Sequence, residues 1–247
     1  MSTLIRVGAA TGRGPSPTLW SNLVDWVKGT LAPGVGTSYF TDHTPYNAGD
    51  RTLSGDSGSA AAVQTDRFGV VEYTASQAAD AVSGYQLNNY VDLDATAFKD
   101  VCFESRLNPV ADNATIQAFV GFTDEALDGF FGSDNTPDGS AIGVRLNTDE
   151  TVDLIAISSS DTITLLKHEL ATGVERDAGP HKLGIRIKKE TSTSYSVYGS
   201  VNGVTTRVTV ASTSIPGAAM LPTVAYTDDN TAAPAVDEDW CGFIEKE

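Results

Sequence analysis

Gly55-Asp56-Ser57-Gly58 can present a serine nucleophile, so acyl transfer is the first chemistry to weigh. Such a serine needs a histidine base and an orienting acid beside it. The sole upstream histidine, His43, lies a short loop away, and the segment reads as a Gly/Ser turn. The other histidines, His168 and His181, share no HxH or HExxH spacing, and no cysteine lies within four residues of any histidine. Zinc needs three or four converging ligands, so both read as strand-edge residues.

Glycoside hydrolysis needs two carboxyl groups about 5–9 Å apart across the bond. Glu104 stands alone on its strand, because Arg106 takes the next position on that face. Asp237, Glu238 and Asp239 are consecutive, so they alternate faces. Asp92 and Asp94 share a face only if extended, and VDLDAT reads as a loop approach. Hard oxygen ligands cluster at Asp134-Asn135-Thr136-Pro137-Asp138 and Asp228-Asp229-Asn230. They read as solvated acidic turns or, combined at one end of a sandwich, as a calcium site, without EF-hand spacing. Gly8–Gly14 lacks the Gly-Lys-Ser/Thr ending of a phosphate loop and reads as a flexible arm.

Sugar recognition uses exposed aromatics with amide or carboxylate partners. Tyr46, Phe130 and Phe131 are loop candidates for it. Phe130 and Phe131, between Gly129 and Gly132, form an apolar loop tip. That tip is either tucked over the end of the core or in contact with a partner.

Whatever positions these groups is built from 247 residues, enough for one large all-β domain. The net charge of −16 argues against nucleic acid as a partner, since binding it requires basic patches. The same charge argues against an anionic membrane surface. Two cysteines cannot make a disulfide scaffold or a four-cysteine zinc module. The N-terminus MSTLIRVGAATGRGPSP has neither the basic start nor the apolar stretch of a signal peptide. Synthesis in a cytoplasm is therefore expected, with Cys102 and Cys241 reduced.

Residues 1–50 read as an arm with a short helix and a connector. Ser16 or Thr18 caps the helix, Pro17 suits its first turn and Gly29 its stop. Leu19, Trp20, Leu23, Val24, Trp26 and Val27 recur at helical spacing over a broad face. That face packs on its own domain or docks on a partner subunit. A connector follows, with at most a short strand near 37–40.

Residues 51–247 read as a sandwich. Strands are expected at 67–74, 84–88, 98–107, 116–123, 140–146, 152–158, 162–169, 182–189, 194–201, 204–210, 221–226 and 239–244. Leu183, Ile185 and Ile187 alternate with Gly184, Arg186 and Lys188. Val152, Leu154 and Ala156 oppose Asp153, Ile155 and Ile157. One-sided burial of this kind means antiparallel sheets. Asn202-Gly203 suits a tight type I′ hairpin turn.

The order FKDVCFESRL, IQAFVGFTD, a glycine-containing strand at 140–146, HKLGIRI, YSVYGSVNGV, IPGAAMLPTVAY and DEDWCGFIEK resembles a laminin-G-like, concanavalin-type jelly roll. VGFTD and the late Asn-Gly hairpin, Ile-Pro and closing strand are similar to versions in phage virion proteins. The resemblance covers about residues 60–247. It implies an all-β, antiparallel two-sheet sandwich whose first long core strand and closing strand can lie close, making Cys102 and Cys241 possible neighbours.

Three uses follow from that resemblance: glycan binding, glycan hydrolysis and virion assembly. The E-x-D-x-x-E carboxylates of the laminarinase-like branch are absent. Calcium at the acidic loops is what laminin-G-like modules would suggest. The leading expectation is a non-enzymatic capsid decoration or cement protein of a phage virion. It would bind the major capsid protein or another virion subunit through Leu19, Trp20, Leu23, Trp26, Val27, Phe130 and Phe131, as a homo-oligomer, with a trimer first. The alternative is a glycan- or receptor-binding module of a tail fibre or tailspike.

Overall fold

The computed structural model describes residues 38–41, 51–53, 59–62, 71–74, 82–88, 90–98, 100–109, 116–127, 130–131, 139–157, 163–174, 180–228 and 235–246. They form sixteen strands. In chain order these are β1 (Ser38–Thr41), β2 (Arg51–Leu53), β3 (Ser59–Ala62), β4 (Val71–Thr74), β5 (Val82–Leu87), β6 (Val91–Asp92), β7 (Asp100–Pro109) and β8 (Ile116–Thr123). Then come β9 (Ala141–Leu146), β10 (Val152–Ile157), β11 (Ile163–Ala171), β12 (His181–Thr191), β13 (Ser194–Val201), β14 (Val204–Ala211), β15 (Ala219–Asp228) and β16 (Ala235–Lys246).

The strands pair antiparallel in two eight-stranded sheets. The first runs β14-β13-β12-β7-β16-β4-β3, with β1 also on β16. The second runs β11-β10-β9-β8-β15-β5-β2, with β6 also on β15. These are the antiparallel sheets that the alternating pattern implies, in the jelly-roll sandwich that the resemblance implies. The short strand expected near 37–40 exists as β1 and pairs Tyr39 with Phe243. The sandwich thus draws on residues assigned above to the arm and connector. The expected helix, with Leu19, Trp20, Leu23, Trp26 and Val27, lies outside the described residues.

Strand parity sorts the apolar side chains into two clusters. Ala118, Val120 and Phe122 of β8, Val152 and Leu154 of β10, and Val224 and Tyr226 of β15 point between the sheets. They meet Phe103, Leu183, Ile185, Val197 and Phe243 of the first sheet. The alternate residues Phe119, Ile155, Ile157 and Ala225 lie on the outer face of the second sheet, in a separate cluster with Leu127, Phe130 and Phe131. Phe130 is 0% and Phe131 4% exposed. The Phe119 and Phe130 ring centroids are 4.7 Å apart. Gly121 and Gly143, paired across β8 and β9, make room for this packing. A Cβ on either would come within 2.6 Å of the Phe119 ring. Of the two alternatives for the Phe130-Phe131 tip, the structure has the tucked one. This corrects the expectation that these two rings contact a partner: they already cover Phe119, and hiding such rings stabilises the fold by about 1.5–3 kcal/mol each.

Cys102 and Cys241 are both buried thiols, not joined in a disulfide. They lie on the neighbouring strands β7 and β16, but Cys241 pairs with Ser105 and Cys102 with Ile244. Cys102 and Ser105 have opposite parity, so the thiols face opposite sides of the sheet. That corrects the expectation of neighbouring thiols.

Candidate binding site

Two polar clusters interrupt the apolar pattern, one sealed and one open. The sealed cluster ties the sheets together. Arg51 Nη1 of β2 donates to Glu238 Oε2 of β16 at 3.0 Å, and both side chains are 0% exposed. Arg51 also donates to the Tyr73 hydroxyl and, at 3.3 Å, to Cys241 Sγ. Its guanidinium carbon sits 4.1 Å from the Tyr85 ring centroid. Ser105 Oγ donates to Glu238 Oε1 at 2.5 Å, and Tyr85 donates to the same oxygen. One cation and one carboxylate thus balance with hydroxyl donors around them, which a buried ion pair needs.

A register shift explains how Glu238 and Cys241 share this interior. Glu238 pairs with Leu107 and Trp240 with Arg106, so residue 239 is extra. The bulge reverses strand parity and turns both Glu238 and Cys241 inward. Burial, and then Glu238, push the Cys241 thiol up to about 12, against the pull of Arg51. This cluster is a structural tie, closed to ligands.

The raised thiol has a measurable consequence. In the unfolded chain a cysteine ionises near its ordinary value of 9.0, while folded Cys241 keeps its proton until about 12. The folded state then binds more protons than the unfolded one, so stability falls as pH rises from 9 towards 12, with a limiting slope of about 1.4 kcal/mol per pH unit. Denaturant unfolding of the wild type and Cys241→Ala between pH 8 and 11 should show the wild type losing stability faster.

The open cluster surrounds Asp153 of β10, on the outer face of the second sheet. Arg145 of β9 is its direct cross-strand neighbour, and Arg145 in turn pairs with Phe119 of β8. Asp153 Oδ1 accepts from the Glu169 backbone N–H and lies against His168 Nδ1, both at 2.9 Å. Asn147 Nδ2 donates to Asp153 Oδ2 at 2.7 Å and to Thr151 Oγ1 at 2.9 Å. Thr151 Oγ1 donates to Asp149 at 2.6 Å, and that bond holds the Asp149 carboxyl below its ordinary range. Asp153 is 4% exposed at its side chain, whereas His168 is 59% exposed. The carboxylate therefore positions the imidazole: Nδ1 faces Asp153, and Nε2 lies 3.5 Å from Glu169 Oε1.

Backbone strain marks the same region. The non-glycine residues of positive φ among those described are Glu150 (64°), Glu169 (50°) and Asn202 (51°). Asn202 is the turn residue expected from Asn-Gly. Glu150 lies in the β9–β10 turn, and its carbonyl accepts from Val174 N at 3.1 Å. Glu169 sits where β11 bulges: Leu154 pairs with Lys167 but Val152 with Ala171. A left-handed glutamate costs on the order of 1 kcal/mol, and such residues cluster where geometry serves a ligand. Beside them runs a groove lined by Leu170, Gly173, Val174, His181, Val201 and Val204. The groove is a separate feature of this end of the sandwich: its wall also includes Thr172 and Asn202, and the side chains around Asp153 do not line it.

The other candidates distribute as follows. His181 opens β12, as expected, and is 7% exposed there, whereas His168 lies within β11 rather than at its end. Glu104 is buried on β7. Asp92 makes a turn, accepting from the Asp94 and Ala95 backbone N–H groups at 3.1 Å. Glu238 is spent on Arg51. These carboxylates are not brought together as an acid–base pair. Among the described residues no group of three or more His, Cys, Asp or Glu could hold a metal. His43, Tyr46, Ser57 and the Asp134–Asp138 loop lie outside the described residues, as do Asp229 and Asn230.

No family model matches the chain, and no curated protein matches it. Solved structures do resemble it in fold. A β-glucanase of Bacillus licheniformis is 13% identical, with a TM-score of 0.54 over 85% of this chain and 99% of that one. The metal-free lectin I-B4 of Griffonia simplicifolia is 10% identical, with a TM-score of 0.56 over 86% and 100%. Peanut lectin is 12% identical, with a TM-score of 0.55 over 85% and 97%. The chain has the lectin- or concanavalin-like jelly-roll fold. At these identities the likeness is one of fold.

Proposed function

We propose that this protein is a non-enzymatic glycan-binding module that holds a saccharide at the Asp153 end of its sandwich. The observation that carries this reading is the open cluster itself. Asp153, almost buried, fixes an exposed imidazole beside amide and hydroxyl groups over strained backbone, and a separate groove walled partly by Leu170, Val174, Val201 and Val204 opens at the same end. Saccharides are bound by such mixtures of oriented polar groups and apolar contact. The lectin-like fold supports the reading by analogy only. The E-x-D-x-x-E arrangement of the laminarinase-like branch is missing from the sequence.

A second reading, capsid decoration of a phage virion, is favoured by one specific feature. The aromatic cover of Phe119, Phe130 and Phe131 closes the middle of the second sheet's outer face, which narrows the surface left for a sugar. Under that reading the partner is a capsid subunit, Leu19, Trp20, Leu23, Trp26 and Val27 make the contact, and the assembly is a trimer.

One experiment separates the two. Wild type and Asp153→Asn are screened on an immobilised glycan panel and in a pelleting assay with phage capsids. The glycan reading expects saccharide binding by the wild type and at least a tenfold loss in Asp153→Asn, because its amide turns an acceptor into a donor towards His168 or Glu169 N. Capsid pelleting by both proteins, with no glycan retained, would replace the first reading by the second.

A further inference from the structure

Arg145 is the least satisfied charged group in the open cluster. Its side chain is 14% exposed. Its Nε is buried with no hydrogen-bond partner. Its Nη2 comes only to 3.9 Å from Asp153 Oδ2, outside hydrogen-bond range. Burial lowers its pKa, with Asp153 and then Asp149 acting against that. Asp153 itself is occupied by Asn147, His168 and the Glu169 backbone, so it does not saturate the guanidinium. A guanidinium offers five donors in a planar fork. Leaving a buried donor unsatisfied costs about 1–3 kcal/mol, and such a group in a native fold calls for a partner.

The surroundings specify what that partner is. Arg145 is flanked by the covered Phe119 ring on one side and Asp153 on the other. Asp149, Glu150 and Glu169 belong to the same end of the sandwich, and the whole chain carries −16. An anionic ligand would meet Arg145 but would face this acidic rim. A neutral ligand with adjacent hydroxyls meets no such opposition. One hydroxyl oxygen accepts from the guanidinium while its neighbour donates to a carboxylate.

We propose that Arg145 is the specificity-determining residue of the site and selects neutral saccharides with vicinal hydroxyls over acidic ones. This deepens the glycan-binding reading and rests on it.

The test is calorimetric titration of the full chain with lactose, maltotriose and mannobiose against 3′-sialyllactose and trigalacturonate, in the wild type, Arg145→Gln and Arg145→Lys. The expected result is binding of at least one neutral sugar, no measurable acidic binding, and a loss of tenfold or more in Arg145→Gln. Arg145→Lys keeps the charge but loses the fork, so it should not restore full affinity. Melting temperatures of both variants should match the wild type within a few degrees, since Arg145 has little to lose. Tighter binding of an acidic sugar would overturn the selectivity and leave the glycan module standing. Neutral binding unchanged in Arg145→Gln would overturn the role of this residue alone. No binding of any of the five sugars would remove both the inference and the reading beneath it.

Discussion

Arg51→Ala is expected to lower the melting temperature by about 6–20 °C. The substitution leaves Glu238 buried at 0% exposure without its cation. Removing one member of a buried pair costs about 3–5 kcal/mol, and a chain of this size shifts by about 2–4 °C per kcal/mol. The Tyr73 hydroxyl and Cys241 Sγ lose the same donor. The loss also acts at a distance along the chain. Arg51 belongs to the three-residue strand β2, which among the described residues pairs with β5 alone and ends its sheet. Without the guanidinium, little fastens that strand across to β16. The double variant Arg51→Met with Glu238→Leu removes both charges and should recover much of the loss. Thermal unfolding followed by circular dichroism would check both. A melting temperature within 2 °C of wild type for Arg51→Ala would mean that the tie does not hold the sheets together.

Gly84→Ala should be at least as damaging. Gly84 lies inside β5 at φ +136°, a conformation that side chains rarely adopt, and a Cβ there would stand 2.1 Å from the Val224 carbonyl oxygen. That oxygen is backbone of β15, a central strand, so no side-chain rotation relieves the clash. The next residue, Tyr85, donates to Glu238, and any shift of β5 pulls on that bond. A loss above about 4 kcal/mol is expected, within the range reserved for strain and core disruption. Gly217→Ala provides the matched control, since nothing lies within 4 Å of its added Cβ. Soluble expression and unfolding curves of the two variants should differ sharply. Equal stability would show that β5 can move away from β15 at no cost.

The sandwich was legible in the sequence because alternation is a local signal. The strand 116–123 and the strand 194–201 have the expected bounds, and the Asn202-Gly203 turn has the expected positive φ values. Short strands were harder to see. β2, with three residues, and β6, with two, are too brief to show a period. Both exist because β5 and β15 offer them backbone partners.

The sealed cluster was hidden for a different reason. Glu238 between two aspartates looked like a residue on an alternating acidic strand. The bulge at 239 breaks that alternation, and a bulge has no signature in this sequence. Arg51 sat in a Gly/Ser/Thr-rich stretch where nothing marked it for burial. Part of the open site was visible. Asp153 on a face with Ile155 and Ile157 was an acidic residue among apolar ones, and His168 was placed at a strand edge. What joins them is the double-step bulge in β11, a tertiary event that one strand's sequence does not encode. Phe130 and Phe131 were ambiguous because an apolar loop tip looks the same whether it covers its own sheet or another protein. Gly121 and Gly143, which leave space for Phe119, were the clue to its own sheet.

The claim that the Asp153 end of the sandwich is the saccharide site is tested most directly by amide chemical-shift mapping of the full chain during titration with lactose, maltotriose and mannobiose. The account predicts saturable shifts concentrated at residues 145–153, 167–174 and 202–204, and their loss in Asp153→Asn. Shifts confined to the opposite end, around Asn88 and Tyr90, or no shifts with any of the three sugars, would contradict it.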